Sequence, residues 1–140
     1  HTTFSDGIFM TLFLAMLLQS ATPVSVLTDM QQRDIDCVAT FGLIAFQQSQ
    51  DAEGADRLRA MAEPGKVYAG LVGSRVMEET GLPREIIAAA IAESARSQAN
   101  AAIAEGDVMR FLTTRYERCE PLLDAEIAAG ADEPLPEPQR

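Results

Sequence analysis

The side chains able to do chemistry are few, and their spacing restricts them further. The 140-residue chain holds one histidine, His1, two cysteines, Cys37 and Cys119, and no tryptophan. Serine and cysteine nucleophiles of the triad and dyad kind need an imidazole beside them. Zinc centres draw on histidine or on several cysteines. A histidine at position 1, outside the region patterned to fold, serves neither purpose. The expectation is no catalytic residue, no cofactor and no metal ligand. The distance between Cys37 and Cys119 along the chain also excludes a CxxC redox pair.

Two acidic pairs remain, Asp34 with Asp36 and Glu78 with Glu79. Neighbouring helical positions point about 100° apart, so Glu78 and Glu79 cannot flank one bond or chelate one ion together. Asp34 and Asp36 are no better placed, and all four are expected as solvated surface. Arg110, Arg115 and Arg118, with Glu117 and Glu120, read as surface ion pairs on the last helix. Tyr68 and Tyr116 are expected to lie at the core edge with their hydroxyls outward. No phosphate-binding glycine loop, dinucleotide fingerprint or calcium loop is present.

Composition narrows the partners. With 21 acidic against 11 basic residues, the formal charge is −10. Such a surface repels phosphate backbones and anionic lipid headgroups, which excludes nucleic acid as an expected partner. All basic residues but Lys66 and the histidine are Arg, scattered along the chain. An apolar content of 47% suits one ordered domain with a modest core.

The elements that must position these groups read as helices throughout, since no stretch of the folded region alternates like a strand. Residues 1–27 form an export-signal-like segment and linker: Met10 is a plausible start, residues 10–18 are apolar, and small and polar residues follow. A buried first helix and an uncleaved anchor are the alternatives, and the run is short for a membrane span. Membrane contact is expected only through this segment, if it is uncleaved. Residues 28–48 read as an amphipathic helix opened by a Thr28/Gln31 capping box, with Gly42 inviting close approach of another helix. Residues 51–63 read as a shorter helix, broken at Pro64-Gly65.

Residues 66–80 turn Val67, Leu71, Val72 and Val76 inward. With Tyr68, the small residues Ala69, Gly70, Gly73 and Ser74 mark a candidate packing or partner face, read first as a tight helix contact and second as a ligand groove. Gly81-Leu82-Pro83 is a stop signal, with Pro83 expected at the first position of the next helix. Residues 83–105 carry Ile86, Ile87, Ile91 and Ile103 among nine alanines and should pack close, as a central or flat-sided helix. Asp107 caps a last helix that Pro121 is expected to kink or restart. Residues 131–140 read as a disordered acidic, proline-rich tail. The expected fold is all-α, a single domain of four to five helices over residues 28–130.

Cys37 and Cys119 both lie on inward helical faces. In an exported chain that favours a disulfide joining the first and last core helices, whereas free buried cysteines would act as small apolar residues. Around RDIDCVATFGLIAFQQ, VYAGLVGSRV and RYERCEPLL, the chain resembles a loose group of small exported two-cysteine helical proteins of alphaproteobacteria. The matching positions are Cys37, Tyr68, Gly70, Gly73, Arg75 and Cys119, across residues 33–125. The resemblance implies a compartment and a fold, and carries no activity. The expectation is a small periplasmic or secreted protein acting by binding or structural interaction with a protein or small ligand. The alternatives are a periplasmic stress or chaperone-like factor, a carboxylate-only enzyme, and an anchored subunit of a membrane complex.

Overall fold

The computed structural model describes residues 26–132. They form four helices: α1, Asp29–Ser49; α2, Ala62–Thr80; α3, Arg84–Glu105; and α4, Val108–Asp132, with one 3-10 turn at Ala55–Arg57. Among the described residues there is no strand, and the all-α bundle is as expected. The export-signal-like segment up to residue 25 and the tail from residue 133 lie outside the described residues; α4 runs two residues into the expected tail.

Helix α1 is the centre, packing against each of the other helices and the 3-10 turn. Its start follows from sequence chemistry: Thr28 Oγ1 accepts from the Gln31 amide at 3.1 Å, and the Thr28 amide donates to Gln31 Oε1 at 3.0 Å. Ile35, Phe41 and Ile44 on its inner face are fully buried. Phe41 meets the edges of Tyr68 and Tyr116 at centroid distances of 5.2 and 6.3 Å. These T-shaped pairs tie α1, α2 and α4 around one aromatic cluster. Cys37 and Cys119 are disulfide-bonded, with Cα atoms 5.5 Å apart and a sequence separation of 82 residues. In the chain-entropy picture a loop of this length contributes about 4–5 kcal/mol by restricting the unfolded chain.

Where a helix was expected over residues 51–63, residues 51–61 form a loop with the single 3-10 turn and residues 62 and 63 begin α2. Asp51 and Gly54 both adopt positive φ, at 52° and 85°, which interrupts a helix after α1. The Gln48 side chain organises the loop. Its Nε2 donates to the carbonyls of Ala55 and Arg59 at 3.2 and 2.8 Å, and its Oε1 accepts from the Met61 amide at 2.9 Å. Of the apolar positions expected on one side of that helix, Ala55, Leu58, Met61 and Ala62, Ala55 and Met61 are buried and Ala62 is exposed. Pro64-Gly65 does not break a helix: Pro64 lies in the first turn of α2, where amides have no intrahelical acceptor and proline costs little, and the Gly65 amide already donates to Met61 O at 2.8 Å.

The close approaches fall elsewhere than expected. A Cβ built at Gly42, Gly70 or Gly73 meets nothing within 4 Å, whereas one at Gly65 would lie 3.5 Å from Phe41 Cβ and one at Gly130 3.5 Å from Leu71. Tyr68 is buried and Ala69 packs on the core, but Gly70 and Ser74 are exposed, so no helix of the bundle covers that small face. Val67, expected inward, is 48% exposed. Gly81 does end α2, at φ 72°, its amide donating to Met77 O at 2.8 Å. Pro83 is the extended residue before α3 rather than its first helical one.

Helix α3 packs close on α1, as expected, as a flat-sided helix rather than a central one. Ile86 and Ile103 are 49% and 69% exposed, and its buried residues are Ile87, Ser94, Gln98 and Ala102. Alanine supplies too little volume to fill a core, so α3 lies on the outside and seats polar groups against α1. Helix α4 passes Pro121 without restarting. Pro121 is exposed, as is Glu117 four residues earlier, so the carbonyl that loses its donor faces water. Buried Cys119 and Leu123 on either side hold the helix to its course.

The open surroundings of Gly70 and Gly73 give a direct test. Gly70→Ala and Gly73→Ala should each stabilise the fold by about 0.5–1 kcal/mol, because alanine is the better helix former and its methyl group meets no neighbour. Thermal unfolding of the double variant should show a midpoint several degrees higher; a lower one would mean that this face is packed in solution.

Candidate binding site at the interhelical clamp

The disulfide does not lie in the centre of the core. Cys37 and Cys119 form part of the wall of a cleft of about 350 Å³ between α1 and α4, together with Leu122. Charged side chains complete it: Asp29, Arg33 and Asp36 from α1, Arg115 and Arg118 from α4. A second cleft, toward α3, shares Gln32, Asp36 and Arg115 with the first. Asp36 and Arg115 therefore stand where the two clefts meet.

Asp36, expected as solvated surface, is built into a polar seam. Its Oδ1 accepts from Ser94 Oγ at 2.6 Å and from Gln32 Nε2 at 2.9 Å. Gln98 Nε2 donates to the Asp36 carbonyl and to Ser94 Oγ, both at 2.9 Å, and Gln98 Oε1 accepts from Thr40 Oγ1 at 2.7 Å. Every hydrogen-bonding atom of the Gln98 amide is used, which offsets the cost of burying it. The signal for this seam was available: Ser94 and Gln98 are one helical turn apart among alanines.

Asp34 also departs from expectation, with a side chain only 5% exposed. Arg33 and Arg75 each reach it at 2.9 Å. Arg75 further contacts Glu126 at 3.1 Å and Glu79 at 3.6 Å, so one guanidinium links α1, α2 and α4. Glu78 is exposed and lines neither cleft beside the clamp. Burial, and then the nearby Asp34 and Glu126 charges, push the Tyr68 phenol above its ordinary range.

The expected pairing of Arg110, Arg115 and Arg118 with Glu117 and Glu120 does not occur. Glu120 instead takes Arg59, which arrives from the loop at 2.8 Å and also contacts Asp124 at 3.1 Å. The Tyr116 hydroxyl donates to Glu120. Arg59, followed by Tyr116, holds the Glu120 carboxyl below the usual range; burial and then Glu120 raise the Tyr116 phenol. Arg115 has no acidic partner among the described residues. Its guanidinium carbon lies 5.9 Å from the centre of the Phe111 ring, and its Nε is buried without a hydrogen-bond partner.

Among the described residues, no group of three or more histidine, cysteine or acidic side chains is arranged to hold a metal ion, and no helix is long and apolar enough to cross a membrane. No family model matches the chain, and no curated protein or solved structure matches it.

Arg75→Ala should destabilise by about 2–3 kcal/mol, below the usual cost of orphaning a buried charge because Arg33 still reaches Asp34. Adding Asp34→Asn should recover part of that loss, so a denaturant double-mutant cycle that shows simple additivity would contradict the coupling.

The Glu120 latch sets an acid arm. A depressed carboxylate contributes stability that is complete above about pH 4.3 and lost as pH falls from there through the lower folded value. Melting temperatures measured across that window should fall less steeply for Arg59→Ala than for the parent. The raised Tyr68 and Tyr116 phenols act in the opposite direction: their contribution is complete below about pH 10 and lost as pH rises toward the folded values.

Proposed function

We propose that this chain is a small exported helical protein of the bacterial cell envelope, periplasmic or secreted, that acts by binding rather than by catalysis. The observation that carries this reading is the Cys37–Cys119 disulfide. A bond between distant cysteines is compatible with an oxidising extracytoplasmic environment and is rare where glutathione and thioredoxin keep thiols reduced. The export-like composition of residues 1–27 and the resemblance to small two-cysteine envelope proteins support the same compartment. The binding half rests on the clefts beside the clamp, where polar and charged groups line a wall that also presents Leu122 and the disulfide. The acids converge on arginines and amides, as Asp34 and Asp36 do, and this arrangement suits structure and recognition better than proton transfer.

Intact-mass measurement after fractionation of a Gram-negative host that expresses the full chain tests the compartment. The expected product lies in the periplasmic fraction or the medium, lacks the 10–18 apolar run, and is two hydrogens lighter than the dithiol form. A cytoplasmic product with both thiols free would overturn the reading.

A further inference from the structure

We infer that the cleft at the disulfide is a site for a small, singly charged organic anion, gripped by Arg115 and Arg118 with its apolar part against Leu122 and the Cys37–Cys119 bond. This rests on reading the chain as a binding protein, but not on its compartment.

The charges in the cleft are unequally committed. Arg33 gives Nε and Nη2 to Asp34 at 3.1 and 2.9 Å, so its charge is largely spent. Asp36 already holds donors from Ser94 and Gln32. Arg115 and Arg118 have no ion-pair partner among the described residues. They are three positions apart on α4 and border the same space. Residues at this spacing share a helical face, so the two side chains border one groove.

Arg115 is the more telling of the two. Its Nε is enclosed and without a partner, so the donors it can offer an anion in the cleft are the terminal guanidinium nitrogens, which match the two oxygens of a carboxylate. The Phe111 ring beneath the guanidinium keeps it in position. A cleft of about 350 Å³ is at the lower end of the range for small-molecule sites.

Charge also limits the ligand. The chain carries −10 overall, and Asp29 lines the same cleft. Repulsion grows with the ligand's charge, so polyanions are strongly disfavoured, whereas a single carboxylate with an apolar body meets the least repulsion. The predicted ligand class is therefore an aromatic or branched aliphatic monocarboxylate.

The probe is benzoate, titrated into the purified full chain at constant ionic strength while the Arg Nε–Hε resonances are followed by NMR. The Arg115 signal should move saturably, with a dissociation constant in the millimolar range, and benzyl alcohol should leave it in place. Arg118→Gln should weaken binding roughly tenfold, the effect of losing one charge-assisted hydrogen bond. Arg115→Gln should abolish binding, read from the shifted amides of α1. Arg110→Gln removes the same charge from α4 without lining this cleft, and should bind as the parent does. A shift that grows linearly without saturation, or equal binding by the Arg118 and Arg110 variants, would overturn the site. These measurements use purified protein, so a failure of export leaves their outcome untouched.

Discussion

A single covalent tie sets the terms on which this small bundle holds together. The Cys37–Cys119 bond fixes the middle of α1 to the middle of α4 and encloses α2, α3 and the loop between α1 and α2. Those enclosed parts have modest means of their own. Helix α3 is rich in alanine and leaves two of its isoleucines largely in water, and the loop depends on the Gln48 side chain for its shape. Restricting the unfolded chain by about 4–5 kcal/mol is a large fraction of the total stability of a domain this size. With the ends of the bundle fixed, α3 need only find its place on α1, and hydrogen bonds suffice to define it.

That division of labour explains why polar groups are so prominent inside. Ser94, Gln98 and Thr40 set the register of α3 on α1 through directional bonds that allow one alignment, where a row of alanine methyl groups would slide. Arg75 does the same for α2 and α4 by meeting Asp34 and Glu126 together. Each group is costly to bury alone, and each is matched by partners from another helix. The apolar core, built around Phe41, Tyr68 and Tyr116, supplies the attraction and the polar ties supply the alignment.

Local sequence rules carried the bundle well and its tertiary ties poorly. Helix ends were legible because caps are local chemistry: Thr28 with Gln31, Gly81, Gly106 and Asp107 each act within a few residues of themselves. The misread charges share one cause, which is partners distant in sequence. Asp34 read as solvated because Arg75 lies 41 residues away. Glu120 was assigned to neighbours on its own helix because Arg59, 61 residues earlier, cannot be inferred from helical spacing. The small residues of α2 were read as a packing face because size alone does not say which side of a helix the rest of the chain occupies. At the candidate site, Cys37 and Cys119 were legible as inward-facing, whereas the lack of an acidic partner for Arg115 emerged only from the packing of α1 against α4.

The position of that arginine bears on what the clamp is for. A buried donor without a partner is an energetic liability, and a domain with little stability to spare would place it where the backbone is least able to relax. Arg115 lies one helical turn before Cys119, the residue bonded to α1, so the helix that carries it cannot draw away to let water reach Nε. The same bond provides part of the adjoining apolar wall. The same constraint limits the freedom of the Arg115 side chain beside the cleft, and a side chain already held in place loses less entropy when an anion arrives. On this view the disulfide both holds the fold and preorganises the site, and the imperfection at Arg115 is what the rest of the bundle is stable enough to tolerate.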